Sequence, residues 1–333
     1  MNKIVELPII EPIYSTYHDQ GSGAAILKSN ESIRNWYLNQ SLILTCNRKF
    51  LQGFTTPEIK IVDSAWFSNP HLDRKDYSAK FLKQYIHPVI KNMLDQGYYV
   101  YYSGIDDYYL EGKTWYKNRH FSHDGLICGY NQNDHTYCIY AYDNNWTYNK
   151  FWVSRKSFEE GRKAMNEKSV YGVICAIKPK PDKIAFSSNI ALKKISEYLN
   201  SSIEQYPENE DGAVFGIAVH DFIAKYVDKL IDGSIPYEKM DRRIFRLIWE
   251  HKKVMLERIK LIEDALSLDH FLSDAYTSVV READNCRMLY AAHHMKQRNS
   301  VLPTIQKKLL SLKLKEKGIL EKLIETTKGD DKK

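Results

Sequence analysis

The stretch "FSHDGLICGYNQNDHTYCIYAYD", residues 121–143, decides how this chain is read. Two runs of apolar, β-branched and aromatic residues, at about 124–130 and 136–142, flank the turn-forming "NQND". Runs of that kind around such a turn predict an antiparallel hairpin. His123 stands where the first strand begins and Asp143 where the second ends. In an antiparallel pair those two ends are neighbours. A carboxylate beside an imidazole fixes its tautomer and stabilises the imidazolium. His123 is therefore a candidate general base and Asp143 its candidate orienting group. Asp124, one residue on, is expected on the opposite face of the strand.

Outward from the hairpin the pattern stays mixed. "YYVYYSGID" (98–106), "KFWVS" (150–154) and "VYGVICAIK" (170–178) read as further strands. Phe81, Tyr85, Val89, Ile90 and Met93 recur at helical spacing, with Gly97 as a stop, and Ser154 can cap a helix over "RKSFEEGRKAM". The prediction is an α+β domain over residues 1–180, an antiparallel sheet with helices. "KPKPDK" at 178–183 breaks the pattern, and the period then turns helical. Ile244, Ile248, Met255, Ile259, Ile262 and Leu266 make one stripe, and helices are expected near 187–200, 212–232, 269–298 and 303–327. Such helices cannot stand alone, so residues 187–327 predict an α-helical bundle. The tail 328–333 is expected to be disordered.

Composition narrows the function classes. Of the 24 tyrosines, twelve crowd between Tyr98 and Tyr148 and suit a half-buried sheet or the rim of a cleft. A formal charge of +6 is modest and is no nucleic-acid signature. The five cysteines form no C-x-x-C pair and lie mostly in apolar runs, which reads as free thiols in a reducing, cytoplasmic setting. "MNKIVELPIIEPIY" lacks the features of a signal peptide, and no integral membrane segment is expected. No phosphate loop and no G-x-G-x-x-G occurs. His293 and His294, with Glu282 and Asp284 near them in sequence, could suggest a metal, but the adjacent histidines face different helix sides; Glu257, Glu263 and Asp264 lack the Glu-x-x-His pairs of di-iron bundles, so no metal and no cofactor is expected. "KKLLSLKLKEKGILEKL" is a basic amphipathic stretch that fits bundle packing, or contact with an acidic carrier or an anionic surface.

His123, an apolar run, Gly129-Tyr130-Asn131 and a following strand that ends Tyr142-Asp143-Asn144 resemble the histidine strand of the papain-like cysteine peptidase superfamily. The likeness is closest to the bacteriocin-processing peptidases and to the N-terminal domain of butirosin biosynthesis protein H, and it covers about residues 10–180. It implies a papain-like sheet with helices, and acyl transfer through a cysteine thioester. It also implies a Cys at the N-terminus of the first helix, where the helix dipole and an imidazolium lower the thiol pKa.

The matching region, "YSTYHDQGSGAAILKSNESIRNW", holds no cysteine. Ser22 in Gly-Ser-Gly is a candidate nucleophile that would depend on His123 as base. Gly-Ser-Gly also reads as a plain turn with an N-cap. His18 can take the nucleophile's position. Gln20 resembles the family's oxyanion-hole glutamine at a shorter spacing. His18, Gln20 and Tyr102 are the substrate-binding candidates. Cys46 follows a predicted helix and so sits at its wrong end. The expectation is a biosynthetic acyl or peptidyl transferase with His123, Asp143 and Ser22 as its catalytic set. It would use an acyl or peptidyl carrier protein and a small amine or peptide substrate. The alternative is a pseudoenzyme that binds a peptide, metabolite or carrier protein through its Tyr-rich cleft.

Overall fold

The computed structural model describes residues 3–26, 31–53, 56–78, 82, 85–166, 173–202, 212–296 and 298–330. In chain order they form β1 (Ile4–Glu6), α1 (His18–Ala25), α2 (Glu31–Gln40), β2 (Leu44–Asn47), β3 (Lys60–Ile61), β4 (Leu72–Ser78), α3 (Ile86–Asp95), β5 (Tyr99–Asp106), β6 (Ser122–Asn131), β7 (Thr136–Tyr142) and β8 (Tyr148–Ser154). There follow α4 (Arg155–Asn166), β9 (Val173–Pro179), α5 (Ser188–Asn200), β10 (Ala213–Phe215), α6 (Val219–Ile231), α7 (Ile244–Ala265), α8 (Phe271–Lys296) and α9 (Leu302–Asp330). The chain is mixed α/β, with a seven-stranded antiparallel sheet and a helical C-terminal region. Helix α9 continues to Asp330, past the point where the tail was expected to begin, and 331–333 lie outside the described residues.

The chain divides into two compact units, one of Met1–Arg34 with Ala65–Ile184 and one of Asn35–Ser64 with Ala185–Lys333. The division is therefore not one cut between 180 and 187. Residues 35–64, expected in the first domain, supply β2 and β3, and these strands pair within the second unit.

In the first unit the strand order is β4-β9-β5-β6-β7-β8, and β1 extends the β5 side by pairing with the last residues of β6. Alternation along each strand sorts the tyrosines. On one face Tyr102, Tyr130 and Tyr137 join Val100, Ile127 and Ile139 in a core closed by Ile90, Leu94 and Phe158 from α3 and α4. The other face turns its phenols toward the extended N-terminal segment. Tyr99 bonds the Pro8 carbonyl (2.5 Å), Tyr142 the Ser15 carbonyl (2.8 Å), and Tyr140 the Ile10 carbonyl (3.4 Å). That segment delivers α1 against β6 and β7. Much of the tyrosine excess is thus structural: an apolar ring fills the layer and the hydroxyl satisfies a backbone carbonyl.

Tyr102, expected on a binding cleft, is a core residue. It is fully buried with its ring edge-on to Phe158, and it lies across Gly125 on the paired strand. A Cβ at Gly125 would come 2.6 Å from Tyr102 Cζ. The ring is fully buried against Phe158, so Gly125→Ala is expected to lower unfolding free energy by about 1–3 kcal/mol. Chemical denaturation checks this, and an unchanged midpoint would show that the ring has room to move.

In the second unit a three-stranded sheet, β10-β2-β3, accompanies α5 to α9. The stripe Ile244, Ile248, Met255, Ile259 and Ile262 of α7 is buried as its spacing predicts. Residues 213–215, expected as the start of a helix, pair instead with Thr45–Asn47 as β10. A polar network crosses the interior. Lys252 Nζ donates to Glu316 Oε2 (2.7 Å) and to Tyr198 OH (2.9 Å), and Tyr276 OH donates to Glu316 Oε1 (2.5 Å). Burial, which would raise the Glu316 carboxyl, is outweighed by Lys252 and His220, so Glu316 lies below its ordinary range.

His220 Nδ1 donates to the Ile217 carbonyl (3.0 Å). Burial first, then Lys252, pushes the His220 imidazole down to about 4 from an ordinary 6.5. A histidine depressed on folding contributes stability that is present above its unfolded value and lost as pH falls through its folded value. Acidification from about 6.5 to about 4 is therefore expected to remove about 3 kcal/mol through this group. Unfolding free energies measured at pH 7, 5.5 and 4.5 check this. The acid slope should flatten in His220→Asn, and an unchanged slope would contradict the assignment.

Candidate functional site

The site forms where β6 outruns β7. The β6–β7 ladder begins at Leu126↔Tyr140, and the same register carried three residues further would set His123 opposite Asp143. Strand β7 stops first, at Tyr142. The start of β6 instead continues its pairing with β5, Ile105 against His123 and Asp106 against Ser122.

Strand β5 ends at Asp106, Asp107 follows it directly, and each of the two aspartates holds a histidine. Asp106, buried, accepts from Tyr108 N (3.1 Å), Phe121 N (3.0 Å) and His120 Nδ1 (2.7 Å), so it staples both ends of the 107–121 loop. Asp107 is only 2 % exposed, and its Oδ2 lies 2.6 Å from His123 Nδ1. That contact places the proton on Nδ1 and leaves Nε2 with its lone pair, the form a general base requires. The His123 side chain is 27 % exposed, so a substrate can reach it. The other oxygen of Asp107 faces Lys113 Nζ at 3.5 Å, and that lysine side chain is 1 % exposed. Burial pulls the Lys113 ammonium below its ordinary range, against the opposing pull of Asp107.

The orienting carboxylate of His123 is thus Asp107, not Asp143. Asp143 shapes the β7–β8 turn: its Oδ1 accepts from Asn145 N (2.8 Å) and Thr147 N (2.9 Å). Its carbonyl accepts from Thr114 Oγ1 (3.0 Å), which ties the turn to the 107–121 loop. Asp124 accepts from Tyr101 OH (2.6 Å).

The first helix begins at His18, four residues before Ser22. Ser22 is therefore in the helix interior rather than at its N-terminus, and it is 0 % exposed. Its Oγ neighbours the Tyr148 phenol and makes no hydrogen bond of ordinary geometry. Gly-Ser-Gly is no turn. A Cβ at Gly21 would meet Tyr148 Cζ at 2.8 Å, so the small residues admit that ring. A hydroxyl sealed under a tyrosine cannot attack a substrate, which removes Ser22 from the catalytic set. Gln20 follows His18 in the first turn and is buried.

His18 is the residue that the helix start presents. Its ring centroid lies 5.1 Å from that of His123, 5.5 Å from Tyr142 and 5.6 Å from Tyr148. Burial first, then Lys113 and His123, holds its imidazole well below the ordinary range, so it is neutral at pH 7. Among the described residues, neither of its ring nitrogens has a hydrogen-bond partner.

All five cysteines are free and buried. Cys46 lies in β2, where burial pushes its thiol up to about 12. Among the described residues no group of three His, Cys, Asp or Glu side chains is placed to hold a metal, and no helix is long and apolar enough to cross a membrane. Of the expected catalytic set, His123 stands at the site, Asp107 replaces Asp143, Ser22 is sealed, and Lys113 was not anticipated. The pair "Asp106-Asp107" at the end of the preceding strand was the available signal. No family model matches the chain, and no curated protein matches it.

Proposed function

We propose that the first unit is a transferase of papain-like descent that works without a covalent acyl-enzyme. His123 Nε2 takes a proton from an amine acceptor. The amine nitrogen then attacks the carbonyl carbon of a thioester-bound acyl group held on a carrier protein. A tetrahedral adduct forms, the C–S bond breaks, and the imidazolium returns its proton to the departing thiolate. The products are an amide and a free thiol. The observation that carries this reading is the 2.6 Å contact between a substrate-accessible His123 and a buried Asp107. The direct route is favoured over the covalent one because Ser22 and the cysteines are buried.

The experiment is acyl transfer from a carrier-bound thioester to amines by the wild type and Ser22→Ala, with mass spectrometry of the quenched enzyme. Ser22→Ala is expected to keep its rate within about twofold, with no acyl adduct on the protein. A trapped acyl-serine, or loss of activity in Ser22→Ala while its fold is intact, would overturn the direct route.

One observation favours a second reading, a binding protein without turnover. The position where the family resemblance calls for a thiol is taken by the neutral imidazole of His18. No transfer with any amine, together with tight ligand binding, would select it.

A further inference from the structure

A line of aromatic rings runs over the surface and ends on His123. Trp146, 50 % exposed, meets Trp115 at 6.3 Å between centroids. Trp115 meets Phe121, 37 % exposed, at 6.2 Å, and Phe121 meets His123 at 4.6 Å. Large apolar rings left in water beside a reactive group commonly mark a ligand surface. The line is built rather than incidental. Asn144 N donates to the Gly112 carbonyl (2.7 Å), which fixes the β7–β8 turn against the loop that carries Trp115. Trp146 is held at φ 59°, a region that bulky residues rarely adopt, and this conformation belongs to the turn that brings its ring to Trp115.

Two cations lie on the same surface. The Arg119 guanidinium lies 5.4 Å from the Trp115 centroid and 5.8 Å from that of Phe121. Lys117 stacks over Tyr116 at 5.6 Å. No carboxylate pairs with Arg119 or Lys117 among the described residues. A stacked guanidinium keeps its in-plane N–H donors free for an anion.

Resting on the proposed function, we infer that the acceptor is an aromatic amino acid or a closely related aminoaryl carboxylate. Its ring stacks on Trp115 and Phe121, its carboxylate meets Arg119, and its amine reaches His123. These three recognition elements are the three groups such a molecule carries.

The test is tryptophan-fluorescence titration of the whole protein with L-phenylalanine, L-cyclohexylalanine and phenethylamine, beside the transfer assay with the same three amines. L-Phenylalanine is expected to bind at least tenfold more tightly than cyclohexylalanine, which keeps both charges but lacks the π-face. It should also bind at least tenfold more tightly than phenethylamine, which lacks the carboxylate. Arg119 is exposed, so Arg119→Gln should fold normally; it is expected to erase the preference over phenethylamine and to leave the preference over cyclohexylalanine. Equal binding of all three amines, or an unchanged ranking in Arg119→Gln, would overturn the inference. Transfer to every amine at equal rates would also overturn it while leaving the proposed function standing. The expected binding pattern with no transfer would sink the proposed function and leave the ligand assignment intact.

Discussion

His123→Gln is expected to lower the acyl-transfer rate by about 10²- to 10⁴-fold, the usual contribution of a positioned general base. The loss should fall on the rate at saturating substrate. Glutamine keeps a polar group of similar reach but cannot accept a proton at neutral pH. Lys113 refines the expectation. Its buried ammonium lies 3.5 Å from Asp107, so it offsets the carboxylate charge that His123 experiences. Lys113→Met removes that offset and is expected to change the transfer rate at saturating substrate while leaving substrate binding unaffected. An unchanged rate in a folded variant would remove Lys113 from the base's electrostatics.

The second large effect belongs to the helical unit. Lys252→Met takes the nearest cation from the buried Glu316 carboxylate, and the expected loss is about 3–5 kcal/mol of unfolding free energy. The double variant Lys252→Met with Glu316→Gln should recover most of that loss. A neutral amide needs no counter-charge, and its oxygen still accepts from Tyr198 or Tyr276. Denaturant midpoints of the wild type, both single variants and the double close a thermodynamic cycle. A cost below about 1 kcal/mol for Lys252→Met would mean that Glu316 is already neutral in the folded protein. The sequence marked the stretch that contains Glu316 as a basic amphipathic helix suited to bundle packing. Its helical period was legible; its partners were not, because Tyr198, Lys252 and Tyr276 come from three other helices.

The same distinction between local and long-range information runs through the candidate site. Periodicity located β5 through β8 and most of the long helices, since each is set by its own residues. Residues 213–215 were misread because their strand character depends on pairing with β2, more than 160 positions away in the chain. His123 was found from its place at a strand start. Its partner was missed because hairpin logic looks forward to β7, whereas β6 is paired along both edges and its first residues side with β5. Asp143 lies at the point that ideal register would choose, but it is spent on capping a turn. Ser22 was misplaced because a glycine-flanked serine ordinarily signals a loop. Here Gly21 makes room for Tyr148, a contact between residues 127 apart.

The most direct test of the dyad compares two single variants, Asp107→Asn and Asp143→Asn, in one transfer assay. An asparagine at the orienting position can present its amide to Nδ1 and so place the proton on the wrong nitrogen, a change of about 10⁴-fold in the serine-protease triad. With Asp107 as the orienting group, Asp107→Asn should cost at least about a hundredfold and Asp143→Asn no more than a few-fold. Loss in Asp143→Asn with Asp107→Asn near wild type would contradict it.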